Sequence, residues 1–156
     1  MDVHSGKMEL KEFLVAAKRN TYASNNPVSE IKRKDGGREL RYKKNDFSYR
    51  DIYFGSNPFS GQEVVWHKKK ILWSMVYYGF VLDESLVKEV IIFLKECLRK
   101  VDKKNPYRGP KKYLRGDFKY ENFVKGTINH FSCYEIIYYK KRRVYTLVYY
   151  GGLIKN

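Results

Sequence analysis

Two glutamates, Glu63 and Glu135, stand 72 residues apart at matching places in two similar stretches of sequence. QEVVWHKKKILWSMVYYGFVL covers residues 62–82, and YEIIYYKKRRVYTLVYYGGL covers residues 134–153. Paired carboxylates that a fold brings together can perform general acid–base or metal chemistry. A carboxylate near the start of a strand also commonly bonds a tyrosine hydroxyl or a lysine across the sheet. Both roles, enzymatic and structural, stay open at this stage.

Aromatic residues surround these glutamates, in a chain that is 17% aromatic and contains 15 tyrosines. Aromatic walls with a few polar groups are typical of a small-molecule pocket. Core packing is the alternative for each of these side chains. The predicted ligand-binding set consists of Glu63, Glu135, Trp66, Trp73, Tyr77 and Tyr149.

A short basic segment lies inside each of the two similar stretches, and the net charge of the chain is +15. Such a charge attracts polyanions, and cations beside aromatic rings can hold phosphates while the rings stack on bases. Charged residues are also what exposed turns ordinarily carry. The alternative prediction is therefore a nucleic-acid-binding set of Lys68, Lys69, Lys70, Lys140, Lys141, Arg142 and Arg143.

Other chemical motifs are missing from the sequence. The three histidines have no metal-ligand spacing, Cys97 and Cys133 form no CxxC pair, and no glycine-rich phosphate loop follows a strand. We therefore predict no catalytic residue, no metal and no cofactor. The longest apolar run, Val90–Leu94, is too short to span a bilayer, and no signal-peptide pattern begins the chain. A cytoplasmic protein without a membrane segment is expected.

The elements that must position these residues follow from periodicity. Apolar residues at helical spacing predict a helix over 8–18, and turn residues predict a long loop from Asn20 to Gly37. Alternating residues predict one hairpin over 39–55 and a second over 59–82, whose second strand is apolar on both faces and therefore central. A second helix is expected after Asp83, with an apolar stripe that reaches Val101.

The remainder of the chain repeats this order. KYLRGDFKYENFVKG, residues 112–126, matches RYKKNDFSYRDIYFG, residues 41–55. We predict an α+β fold in one domain, 1–156, that is internally duplicated, with repeat 1 over about 8–82 and repeat 2 over about 83–154. Each repeat would contain a helix and about four antiparallel strands. A pseudo-twofold axis would relate the repeats, with two helices on one face of a curved antiparallel sheet or sheets and a concave aromatic face on the other.

The segments LKEFLVAAKRNTYA, DFSYRDIYFGSNPFSGQEVVWHKKKILWSMVYYGFVL, NPYRGP, YLRGDFKYENFVKG and YEIIYYKKRRVYTLVYYGG resemble an uncharacterised prokaryotic domain family. That family occurs alone or behind a helix-turn-helix of the Xre type. The resemblance covers nearly the full length and implies an accessory or sensor role in transcriptional regulators. It implies no activity and no catalytic residues.

The sequence thus favours a non-enzymatic binding module that recognises a small ligand or a protein partner between its two repeats. Nucleic-acid binding by the two basic segments is the alternative, and an enzyme that uses Glu63 and Glu135 is a further one.

Overall fold

The described part of the chain folds into two α-helices and nine strands, and the predicted α+β class is confirmed. The computed structural model describes residues 3–24 and 29–155, with the backbone alone for residues 3–8. The helices are α1 (Val3–Asn20) and α2 (Val87–Leu98), and the strands are β1 (Ile31–Lys32), β2 (Arg38–Lys44), β3 (Phe47–Gly55), β4 (Phe59–His67), β5 (Lys70–Val81), β6 (Lys112–Arg115), β7 (Phe118–Thr127), β8 (His130–Tyr139) and β9 (Arg142–Leu153).

All nine strands form one open antiparallel sheet in the order β1-β2-β3-β4-β5-β9-β8-β7-β6. The chain therefore has a first half, which ends with β5, and a second half, which begins with α2. β5 and β9 join the halves side by side, with Tyr77 opposite Tyr149 and Val76 opposite Tyr150. The central position predicted for the apolar strand β5 is confirmed.

Both helices supply apolar residues to one buried cluster on one side of the sheet, which we call the helix-side face. In α1 these are Leu10, Phe13, Leu14 and Ala17. The Phe13 ring lies 4.9 Å from Phe47, and the Phe93 ring of α2 lies 4.9 Å from Phe118. Because strand side chains alternate between faces, Trp73, Met75 and Tyr77 of β5 lie in this cluster while Val76 and Tyr78 point to the opposite side.

Three boundaries differ from the sequence prediction, and the first is that α1 covers Val3–Asn20 where a helix over 8–18 was predicted. The segment expected to be a loop from Asn20 to Gly37 contains the short strand β1, because a turn at 34–37 brings Ile31 opposite Glu39. Part of that loop, residues 25–28, lies outside the described residues. After Asp83 the chain first forms a 3-10 helix over Glu84–Leu86, capped by a hydrogen bond from Ser85 N to the Asp83 carboxylate at 3.0 Å. α2 begins only afterwards, and Val101 is buried beyond its end.

Two hairpin turns are built from lysine pairs, and we call them the lysine turns. Lys68 and Lys69 join β4 to β5 with φ angles of 48° and 66°, and Lys140 and Lys141 join β8 to β9 with the same two values. Two central residues with positive φ define a type I′ turn, which favours Asn-Gly because other side chains are strained there. Lysine therefore occupies four positions that its backbone preference disfavours.

Candidate functional site

Five of the six residues predicted to bind a ligand lie buried on the helix-side face. Glu63, Trp73, Glu135 and Tyr149 have no exposed surface, and Tyr77 is 8% exposed. The sixth, Trp66, follows a β-bulge and lies on the opposite face beside Arg50, whose guanidinium is 5.1 Å from its ring centre. The aromatic residues predicted for an exposed concave surface are thus covered by the helices, apart from Trp66.

In the first half, Glu63 binds the ammonium group of Lys18, which comes from the last turn of α1. Lys18 Nζ lies 3.0 Å from one Glu63 carboxylate oxygen and 3.2 Å from the other. The same ammonium donates to the carbonyl oxygen of Tyr107, and the Tyr49 hydroxyl donates to Glu63. Both charged side chains are fully buried, so this ion pair joins α1 to the sheet and to the loop after α2.

In the second half, Glu135 binds Arg108, which lies in the loop after α2. Arg108 Nε and one terminal nitrogen each lie 2.9 Å from Glu135 Oε1. The hydroxyls of Tyr120 and Tyr145 donate to the same carboxylate at 2.5 and 2.6 Å. The equivalent glutamates are therefore both neutralised by a buried cation, but the two cations come from non-equivalent positions.

Two further tyrosines continue the buried network toward the β5–β9 junction. The Tyr77 hydroxyl donates to Asp51 at 2.7 Å, and the Tyr149 hydroxyl donates to Asn122 at 2.7 Å. The Arg108 guanidinium lies 5.5 Å from the Tyr77 ring centre, so it connects the halves. We call this network the central polar cluster; it comprises Lys18, Tyr22, Tyr49, Asp51, Glu63, Trp73, Tyr77, Tyr107, Arg108, Tyr120, Asn122, Glu135, Tyr145 and Tyr149.

The central polar cluster contains two cations and three carboxyl groups. Burial, together with the nearby Glu63 carboxylate, raises the pKa of Asp51 to about 7. Burial also lowers the pKa of Lys18, although Glu63 partly opposes this shift. The carboxyl at position 51 titrates near neutrality because no buried cation of its own balances it, whereas the equivalent position in the second half is the uncharged Asn122.

The arrangement holds α1 and the loop after α2 onto the sheet. Each glutamate is occupied by a cation and at least one tyrosine hydroxyl, so neither presents a free carboxylate to a reactant. Within residues 3–24 and 29–155, no group of three or more histidine, cysteine, aspartate or glutamate residues is arranged to hold a metal. Trp73 Nε1 and the Tyr22 hydroxyl are buried without a hydrogen-bond partner.

The opposite side of the sheet carries a second set of aromatic residues, and we call it the open face. Tyr78, Val148, Tyr134 and Phe123 lie in register across four neighbouring strands, β5, β9, β8 and β7. The Phe123 and Tyr134 rings are stacked, with centres 4.6 Å apart. The large apolar side chains of this surface are each between 39% and 51% exposed: Val76, Tyr78, Phe123, Tyr134, Val148 and Tyr150.

The charges on the open face are predominantly positive. Its glutamates are already paired: Glu121 binds Lys119 at 2.8 Å, and Glu39 binds Arg33 and Arg41. The described residues offer no carboxylate within ion-pairing distance of the other cations on this side, which are Lys43, Arg50, Lys112, Lys125 and Arg143. Arg50 Nε is buried and has no hydrogen-bond partner. An anionic partner would therefore meet unpaired cations around exposed rings.

The two basic segments predicted to bind nucleic acid lie at opposite ends of the sheet. Lys68 and Lys69 precede the first residue of β5, whereas Lys140 and Lys141 precede β9 beyond the last residue of β5, since Val81 pairs with Tyr145. The turns are separated by the 12 residues of β5 and about four further residues of β9, which is roughly 50 Å along the strands. The exposed aromatic residues lie between them.

The fold and its surfaces define an α+β domain with one open antiparallel sheet, a buried ionic network and an uncovered aromatic face. The chain belongs to a family described as a domain of unknown function, DUF5680, which matches residues 51–154. The expectation of an uncharacterised domain family is thereby confirmed. No match was found among curated proteins or among solved structures. In the part of the chain that the structure describes, no helix is long and apolar enough to cross a membrane.

Proposed function

We propose that this protein is a non-enzymatic binding module and that its partner is single-stranded nucleic acid. The observation that carries the proposal is the row of exposed aromatic residues across the open face, surrounded by cations that have no protein counter-charge. Neighbouring exposed apolar side chains on one surface are typical of an interaction site. Bases stack on aromatic side chains, while phosphates require unpaired cations, so single strands satisfy both properties of the surface.

The dimensions of the surface fit a single strand of nucleic acid rather than a small molecule. Tyr78 and Phe123 are three strand spacings apart, which is about 14 Å. The lysine turns lie on either side of this row in the direction of the strands, and they extend the positive surface in that direction. A double helix presents its bases edge-on within grooves, so a flat row of aromatic residues would offer it no stacking surface.

The test is fluorescence anisotropy with a labelled single-stranded oligonucleotide, a duplex of the same sequence and a series of salt concentrations. We expect binding to the single strand that weakens as salt increases. Tyr78→Ser combined with Tyr134→Ser should weaken it by at least about tenfold, because each stacked base contributes about 1–3 kcal/mol. Ile92→Ser, which removes an apolar side chain that is 53% exposed on α2, is the matched control and should leave affinity unchanged. Equal effects of the two changes would refute the open face as the binding surface.

A small ligand bound between the halves is a second candidate, and the central polar cluster favours it. Trp73 Nε1 and the Tyr22 hydroxyl are buried donors without acceptors, next to the cations Lys18 and Arg108. A small polar molecule there would accept hydrogen bonds from Trp73 and Tyr22 beside Tyr77 and Tyr149, while Glu63 and Glu135 keep their cations. A thermal-shift screen against metabolites tests this candidate, and it fails if no compound class raises the melting temperature of the wild type.

We also infer that the single domain, 1–156, consists of two duplicated units over about 8–82 and 83–154, related by a pseudo-twofold axis between β5 and β9. Supporting observations are the matching strand order on either side of that junction and the equivalent pairs Glu63 and Glu135. Binding of single-stranded nucleic acid would suit an accessory domain of a transcriptional regulator, which is the role that the resemblance to Xre-associated domains implies.

A further inference from the structure

A pocket lies at the corner of the second half, where the Lys140–Lys141 turn and the turn at Gly116 and Asp117 are adjacent. Its volume is about 640 Å³, within the range of ordinary ligand sites. Lys140 N donates to the carbonyl oxygen of Asp117 at 3.0 Å, so a backbone bond fixes the two turns to each other. We call this the corner pocket.

The lining of the corner pocket combines aromatic and cationic groups. Phe118 and Tyr138 supply rings, and Lys119, Lys140 and Lys141 supply three positive charges against the single carboxylate of Asp117. Lys119 is already paired with Glu121 at 2.8 Å, and its ammonium lies 4.6 Å from the Tyr138 ring centre. In the described parts of the chain, Lys140 and Lys141 have no carboxylate partner, so they are available for an anion.

The equivalent corner of the first half differs in charge. Its pocket has a volume of about 430 Å³ and is lined by Glu9, Glu12 and Asp46 as well as Lys44 and His67. Glu12 is paired with Lys103 at 2.6 Å, and the remaining carboxylates of Glu9 and Asp46 beside Lys44 make this pocket unfavourable for an anion. The two lysine turns are therefore alike in backbone geometry and net charge, but only the turn at Lys140 adjoins a predominantly cationic pocket.

We propose that the corner pocket binds the terminal phosphate of a single-stranded nucleic acid. The proposal rests on the function proposed above, because a nucleic-acid strand on the open face would reach this corner past Tyr138, which lines the pocket and lies four residues after Tyr134 on the same side of β8. A terminal phosphomonoester carries about 1.5 to 2 negative charges at neutral pH, more than the single charge of an internal phosphodiester. Because the terminal phosphate carries more charge, the unpaired Lys140 and Lys141 bind it more tightly than they bind a phosphate in the interior of the nucleic-acid strand.

The experiment compares three labelled single strands of one sequence, which carry a 5′-phosphate, a 3′-phosphate or two hydroxyl ends. We expect one phosphorylated strand to bind the wild type at least about tenfold more tightly than the hydroxyl strand. Lys140→Asn combined with Lys141→Gly should abolish this preference. That pair is the one type I′ turns favour, so the variant keeps the fold and loses only the charges.

The matched control is Lys68→Asn combined with Lys69→Gly, which removes the same charge from the other turn. It should bind every strand somewhat more weakly and keep the preference for the phosphorylated end. Equal affinity of the wild type for all three strands overturns the corner-pocket proposal while leaving single-strand binding intact. A preference that survives in the Lys140 and Lys141 variant also overturns it. Failure of all three strands to bind at low salt refutes both proposals.

Discussion

Replacing Asp51 by asparagine should stabilise the protein at neutral and alkaline pH. Asp51 is buried, accepts a hydrogen bond from Tyr77 and faces Glu63 across the β3–β4 pair. At the equivalent position, Asn122 accepts the same kind of hydrogen bond from Tyr149 at the same distance of 2.7 Å. An asparagine at position 51 therefore keeps the tyrosine contact and removes the ionisable group.

The magnitude follows from the pKa of the Asp51 carboxyl, which burial raises from 3.8 to about 7. Between about pH 4 and pH 7 the folded protein holds a proton that the unfolded chain releases, so the free energy of unfolding falls as pH rises and then levels off above pH 7. A difference of about three pH units corresponds to about 4 kcal/mol. Because the new amide nitrogen needs an acceptor, we expect a gain of about 2–4 kcal/mol at pH 8 and little change at pH 4.

The assay is urea denaturation of the wild type and the Asp51→Asn variant at several pH values from 4 to 8. Asn122→Asp is the matched control, because it introduces the same buried carboxyl in the second half and should lower stability above neutral pH. The reasoning is refuted if the wild type and Asp51→Asn proteins lose stability in parallel as the pH rises.

Two more changes test other parts of the structure. Converting both lysine turns to Asn-Gly should raise stability by about 1–2 kcal/mol per turn, because Lys68, Lys69, Lys140 and Lys141 all have positive φ. The melting temperature should rise by several degrees, and a variant with glutamine at all four positions separates backbone strain from charge, since it should show no comparable gain. Glu135→Gln should destabilise by about 3–5 kcal/mol in urea denaturation, because it leaves the buried guanidinium without a counter-charge; a loss below about 1 kcal/mol would show that the ion pair is dispensable.

The hairpins and the central strand were predictable because their signals are local. Alternation and turn residues predicted the strands on either side of Lys68 and Lys140, and the 72-residue repeat identified Glu63 and Glu135 as a pair. Alternation also placed Trp73 and Tyr77 on one face. It could not show which face the helices cover, since that depends on contacts between distant segments.

The cations of the central polar cluster were missed for the same reason. Lys18 and Arg108 lie 45 and 27 residues from the glutamates that they bind. They occupy non-equivalent places, so the repeat pattern gave no indication of them. The pairing of Asp51 with Glu63 was detectable from sequence, because aligning the two predicted strands places these carboxyl groups opposite each other. Trp66 was grouped with Trp73 and Tyr77, but strand alternation and the bulge after Val65 direct it to the open face.

The lysine turns connect stability to function. In the turns of the β2–β3 and β6–β7 hairpins the chain has Asn45 and Gly116, which are residue types suited to their positive φ angles of 53° and 57°. Lysine at the β4–β5 and β8–β9 turns therefore costs stability that Asn-Gly would supply, and both halves retain it. Backbone strain at exposed positions is a reason to propose a functional contact for their side chains. Under the proposed function, the lysines of these turns would bind phosphates on either side of the aromatic row, beyond the bases that stack on it.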